Sequence, residues 1–282
     1  MILSYFKTAI RNIYKHKAYS FINIAGLALG LAIFSMAALL VEFHFSFDKF
    51  HKDFDQIYSV VQTFAKHDKK VDHSARTPAP LKQLLAGEFP EIKDATRWIY
   101  LDDMTVKYED KKFHEKGATA MAVDSNFLSF FNFALISGEP EKILSQPNSV
   151  VLTESAARKY FGSESPMGKT LTVLLYSELP FKVTGVTRDV PLNSSLQYQL
   201  LFSSNTFNFD NNWHVWGATF VKLSGQADPH RLQQKFPGFI EAHLGGLIMV
   251  PKELYLLSLA DLHLRSFHVT GVWQKDVDTA YL

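Results

Sequence analysis

Cysteine is absent from all 282 residues. That excludes disulfides, thiolate metal sites and a cysteine nucleophile together. A disulfide-free exported domain of this size fits a bacterial envelope better than a eukaryotic secretory route. No Gly-x-Ser-x-Gly elbow occurs, so a serine hydrolase of that type lacks its signature, and no histidine pair has zincin spacing. Repeats of fixed period and low-complexity tracts are missing too. One scarcity is local. Residues 18–41 run for 24 positions without a charged side chain, and the 17 residues before them hold Lys7, Arg11, Lys15 and Lys17 without an acid.

A bilayer core of roughly 30 Å needs about 20 apolar residues in a helix. Residues 18–41 meet that length as a transmembrane helix. A cleaved signal peptide has a shorter apolar stretch of about 7–15 residues ending at a small-residue site, so an uncleaved anchor is the expectation. Positive charge stays inside, which puts the N-terminus in the cytoplasm and the residues after Val41 outside. In residues 1–17, Leu3, Phe6, Ile10 and Ile13 share one helical face, while Lys7, Arg11 and Lys15 repeat every fourth position on another. This is the pattern of a basic amphipathic helix lying on the inner leaflet, with Lys7, Arg11, Lys15 and Lys17 as the lipid contacts. A solvated basic tail is the alternative. Gly26 and Gly30 form a Gly-x-x-x-Gly step that lets another membrane helix approach, unless the glycines face lipid.

Beyond the anchor about 240 residues remain, enough for a substantial core. Setting aside the four N-terminal bases leaves 25 Lys and Arg against 28 Asp and Glu, a balance near −3. Such a surface argues against nucleic acid as a partner. The 24 Phe and 11 Tyr speak for an ordered globular domain.

Phe43, Phe45, Phe47 and Phe50 suit an interfacial aromatic belt at the membrane exit. Alternation and turn signals predict strands at 57–65, 96–100, 104–108, 111–114, 119–123, 150–153, 170–175, 181–187, 198–202, 216–223 and 254–259. Helices are expected at 78–89, at 154–161 and at 229–243 with a break at Pro237-Gly238, and a short one capped by Ser125. Residues 203–212 read as a polar surface loop. Mixed strands and helices with hairpin spacing give an α+β fold: one transmembrane helix, then a mixed domain over 42–282 with a β-rich subdomain inserted at about 105–212.

The most tempting chemical motif is Gly162-Ser-Glu-Ser-Pro-Met-Gly168-Lys169-Thr170. A P-loop needs four residues between its glycines, a strand before and a helix after. Here there are five, with a helix before and a β-rich run after, so a tight turn into a strand is expected. His263 and His268, an odd number of residues apart, would face opposite sides of a strand. The acid pairs Asp102-Asp103 and Glu109-Asp110 fall in turns. No catalytic, cofactor or metal constellation emerges, and the chain does not read as an enzyme.

Three segments together resemble the MacB/FtsX-like permeases of ABC transporters. Residues 9–30 look like that family's opening pattern, through Arg11, Asn12, Lys15, Lys17, Tyr19, Ser20, Phe21, Asn23, Gly26 and Gly30. Phe47, Asp48, Phe50 and then Ile57, Tyr58, Ser59 and Val60 are similar to its lead-in to the periplasmic core domain, with Ser59 where arginine is usual. Residues 149–162, Pro166, Gly168 and Lys169, and Val183, Gly185 and Val186 resemble a run inside that domain.

The resemblance implies a permease subunit in the bacterial inner membrane, dimeric or paired with another permease and working with a cytoplasmic ABC ATPase. ATP hydrolysis would move the periplasmic domain rather than open a central pore. It also implies three further membrane helices after the domain, so the expectation is an N-terminal fragment of such an exporter. A membrane-anchored extracytoplasmic sensor or binding module is the alternative.

Overall fold

The computed structural model describes residues 2–65, 71–116, 119–175, 177–247, 249–266 and 268–271. The chain forms two compact units, residues 1–46 and 47–282. The first holds α1 (Ile2–Lys15) and α2 (Lys17–Phe45), separated at His16, whose φ of −118° and ψ of 53° are not helical. With 29 residues, α2 is long and apolar enough to cross a membrane. It runs four residues past the expected end because Glu42 to Phe45 continue the helix. Its C-terminus closes where the Ser46 hydroxyl donates to Phe43 O at 2.7 Å.

In the second unit the chain runs β1 (Ile57–Ala65), β2 (Val71–Ser74), β3 (Arg76–Pro78), α3 (Leu81–Glu88), β4 (Ile92–Tyr100), β5 (Met104–Tyr108), β6 (Lys111–Glu115) and β7 (Ala120–Val123). Then come α4 (Phe127–Phe130), β8 (Leu135–Ser137), β9 (Ser149–Thr153), α5 (Glu154–Phe161), β10 (Thr170–Leu174), β11 (Glu178–Thr187) and β12 (Leu200–Ser203). The described residues close with β13 (Trp216–Leu223), α6 (Pro229–Gln233), α7 (Phe236–Phe239), β14 (Glu253–Ser258), α8 (Leu259–Arg265) and β15 (Val269–Thr270). The strands make one mixed sheet in the order β15-β2-β1-β13-β4-β7-β12-β9-β11-β10-β5-β6, with β14 on β1, β3 on β13 and β8 on β11. Pairing is antiparallel except for β7 with β12, β9 with β11, and β2 with β15. This is the expected α+β architecture.

Cores form on the sheet where buried faces meet helices. Trp98, Phe127, Phe131 and Phe220 pack in the middle, with Trp98 stacked on Phe220 at 4.6 Å. Tyr160, Phe161, Phe181 and Phe202 fill a second core under α5. Leu81, Leu85, Phe89, Phe236 and Phe239 fill a third between α3 and α7.

Several expected boundaries move. Pro78 belongs to β3, opposite Trp216, and α3 starts only after Pro80. Ser125 is not the cap of α4; Asn126 holds that position without a side-chain cap bond, and spends its amide on Asp94 and Ala95 instead. The break in 229–243 falls at Gln234 and Lys235, whereas Pro237 sits in the first turn of α7, where a missing N–H costs nothing. The last expected strand ends at Ser258, whose hydroxyl accepts the Ala260 N–H at 3.2 Å and starts α8. His263 is therefore on a helix, and the strand argument for His263 and His268 fails. Phe47 is buried and stacked on His263 at 3.4 Å, so it leaves the aromatic belt.

Candidate functional site

Residues 47–56 follow α2 directly in the chain, and their side chains are fastened to distant elements. Asp48 has a left-handed backbone with φ of 58°. Its N–H donates to Asn193 O at 3.0 Å. Its Oδ1 accepts the Ser195 N–H at 2.8 Å and the Ser194 hydroxyl at 3.2 Å. Its Oδ2 is buried without a hydrogen-bond partner among the described residues. Burial raises the carboxyl from 3.8 to about 6, against the pull of those serine bonds.

His51 is also buried, and its Nδ1 bonds to Phe131 O. A carbonyl only accepts, so Nδ1 carries the proton and Nε2 is bare in the neutral ring. Nε2 lies 3.9 Å from Asp48 Oδ1, beyond hydrogen-bond reach. Burial lowers the imidazole from 6.5 to about 4; the Phe131 bond opposes this and the charge of Lys222 assists it. Lys222, on β13, donates to Asp53 Oδ2 at 3.1 Å and to Phe130 O at 3.0 Å. The segment is thus tied to the loop before β12, to the end of α4, to β13 and, through Phe47, to α8. Three of these ties are hydrogen bonds, which are directional and costly to break when buried, and the fourth is a ring stack.

A second feature is a cleft of about 650 Å³ beside α3 and β4, lined by Lys82, Lys93, Asp94, Arg97, Asp124 and Asp210 among others. Arg97 is only 3% exposed. Its Nη1 donates to Ala79 O at 2.7 Å, and its Nη2 bonds Asp210 and lies 3.2 Å from Asp124 Oδ1. Asp124 Oδ2 accepts the Arg97 N–H at 2.9 Å and pairs with Lys82 at 3.2 Å. Burial opposes ionisation of Asp210, but the bond and charge of Arg97 prevail and hold its carboxyl below the ordinary value. The expected surface loop over 203–212 is thus shorter than its sequence suggested: Ser203 closes β12 and donates to Leu144 O at 2.8 Å, Ser204 is buried at the start of a helical turn, and Asp210 is pinned by Arg97.

Lys7, Arg11 and Lys15 lie exposed on α1, and Lys17 is exposed where α2 begins. Ile10 and Ile13 are exposed on α1, while the side chains of Leu3 and Phe6 lie outside the described residues. Gly26 and Gly30, one turn apart on α2, have open space where a Cβ would stand. At the P-loop lookalike, Gly168 makes a turn with φ of 76° into β10, and Lys169 bonds Tyr108 at 2.9 Å and pairs with Glu164. Asp103 and Glu109 take positive φ in their turns, as expected. Among the described residues, no group of three or more His, Asp or Glu could hold a metal. Sequence reading assigned no role to Asp48, His51, Arg97 or Asp124. Only Asp48 and His51 stood near a signal, inside the segment that carries the family resemblance.

The family model for the MacB-like periplasmic core domain matches residues 20–238. The chain belongs to this family. Among solved structures, it is similar to a domain of a protein described as a permease from Porphyromonas gingivalis, at 22% identity and a TM-score of 0.63, covering 74% of this chain and 91% of that one. It is also similar to the periplasmic region of MacB from Actinobacillus actinomycetemcomitans, at 16% identity and a TM-score of 0.51, covering 72% and 89%. The extracellular domain of the noncanonic ABC-type transporter YknZ from Gram-positive bacteria matches at 12% and 0.51, covering 71% and 99%. At these identities the structures show a shared fold. No curated protein matches the chain. Family and fold define a membrane protein with an extracytoplasmic domain and a transporter-related role in an ABC-transporter context.

Proposed function

We propose that this chain is a permease subunit of an ABC-type exporter in the bacterial inner membrane, with α1 cytoplasmic and the second unit periplasmic. A cytoplasmic ATPase subunit hydrolyses ATP, and the resulting motion of α2 is delivered to the periplasmic domain through residues 47–56. The observation that carries this reading is the fastening of that segment, where Asp48, His51, Asp53 and Phe47 grip four separate elements. Two copies, or this chain and a related permease, pack through Gly26 and Gly30. Lys7, Arg11, Lys15 and Lys17 hold α1 on the anionic inner leaflet. The inserted subdomain over about 105–212 moves as the outer arm; the core around Tyr160 and Phe181 supports its existence.

The absence of cysteine makes the test direct, because any introduced thiol is unique. In intact spheroplasts, a membrane-impermeant maleimide should label Leu192→Cys and leave Lys15→Cys unlabelled. The reverse pattern rejects the orientation. In the native membrane, the chain should co-purify with a vanadate-sensitive ATPase, and Asp48→Ala should uncouple export while leaving that association intact. Export unaffected by Asp48→Ala removes residues 47–56 from the coupling path.

A further inference from the structure

Three groups hold the Arg97 guanidinium, and they differ in kind. Ala79 O lies between β3 and α3, and Asp124 follows β7, so both belong to the framework. Asp210 comes from the irregular stretch between the turn at Ser204–Thr206 and β13, and is 48% exposed. Asp210 engages Nη2 alone, whereas Nε, on the same edge of the guanidinium, is buried without a hydrogen-bond partner among the described residues. That edge is a two-pronged donor with one prong filled. A buried donor left unpaired costs free energy, so the pairing with Asp210 is incomplete.

We propose that this cleft binds a ligand carboxylate, and that Asp210 is a built-in occupant which the incoming carboxylate displaces to take both Nε and Nη2 of Arg97. Charge accounting agrees. Lys82, Lys93 and Arg97 balance Asp94, Asp124 and Asp210 in the lining, so withdrawal of Asp210 leaves one positive charge for one carboxylate. The amide nitrogens of Asn126 and Asn205 are already spent, on Asp94 and Ala95 and on Ser145, but Gln83, which bonds Asp210, is released by the same withdrawal to meet a polar body. The cleft volume lies in the range of small-ligand sites, about 300–1,000 Å³. The carboxylate is carried by a free organic acid or by an acidic side chain of a peptide.

The test uses the full chain in detergent micelles, with succinate as the free acid and an N-acetylated, C-amidated Asp-containing tetrapeptide as the peptide probe. If Asp210 fills the site about nine-tenths of the time, apparent affinity is lowered about tenfold. Calorimetry should therefore show Asp210→Asn binding at least one probe about tenfold more tightly than wild type. Arg97→Lys, which keeps the charge beside Asp124 but lacks the fork, should lose that binding while retaining the folded circular dichroism spectrum. Tightening with the peptide alone identifies a protein partner's acidic segment as the source; tightening with succinate identifies a free acid. Two results overturn the proposal: no binding of either probe to Asp210→Asn at about 10 mM, or weaker binding to Asp210→Asn than to wild type.

Discussion

Asp48 and His51 lie together in the interior with opposite pH dependences. The Asp48 carboxyl is raised to about 6, so its contribution to stability is full below about 3.8 and is lost as pH rises through 6. The His51 imidazole is lowered to about 4, so its contribution is full above 6.5 and is lost as pH falls through 4. Each swing is on the order of 3 kcal/mol, and the two nearly cancel between pH 4 and 6.5. Asp48→Asn should therefore lose stability on acidification over that window, and His51→Gln should gain it. Urea denaturation of both variants at pH 4.5 and 6.5 measures the opposed slopes; parallel slopes reject the account. A second residue prediction concerns packing. A Cβ on Gly217 would stand 2.2 Å from Trp98 O and 2.7 Å from an Ile99 side-chain carbon. Gly217→Ala should cost roughly 1–3 kcal/mol, read as a lowered thermal midpoint.

Local elements were legible where one residue's chemistry sufficed. Strands β1, β5 and β13 and helix α5 follow the expected bounds because alternation, or a cap with a helical face, states them directly. Thr153 extends off β9 and accepts the Ala156 N–H at 3.3 Å, which starts α5. Thr153→Ala should cost about 1 kcal/mol, again by urea denaturation. Short pieces were missed: β2, β3, β8, α8 and β15 carry too few residues to show a period, and they exist because a neighbouring strand or core face accepts them. Helix α2 is the opposite case, since 24 charge-free residues leave few alternatives. Its glycines give an element-level test of the proposed pairing. Gly26→Ile with Gly30→Ile should abolish thiol crosslinking between copies through a cysteine introduced at Ala37, whereas unchanged crosslinking places the packing face elsewhere.

The two compact units meet in sequence at residues 46 and 47. A fragment of residues 47–271 should fold cooperatively without α1 and α2. Residues 57–271, lacking Asp48, His51 and Asp53, should unfold at markedly lower urea, because Lys222 loses its carboxylate partner and Phe131 O its donor. Equal midpoints for the two fragments would show that residues 47–56 do not stabilise the domain.

By itself the sequence determined the long apolar helix, its basic flank, the absence of thiols and the α+β class. These follow from charge, composition and periodicities that act over a few residues. Only the tertiary structure decided that Asp48 meets Ser195, that His51 meets Phe131 and that Arg97 meets Asp124 and Asp210. The partners in these four pairs stand 27 to 147 positions apart. Such separations are closed by the order of strands in the sheet, which no local pattern encodes. Burial then turned these ordinary polar residues into unusual ones, since the cost of an unpaired or charged group arises only once the fold has excluded water.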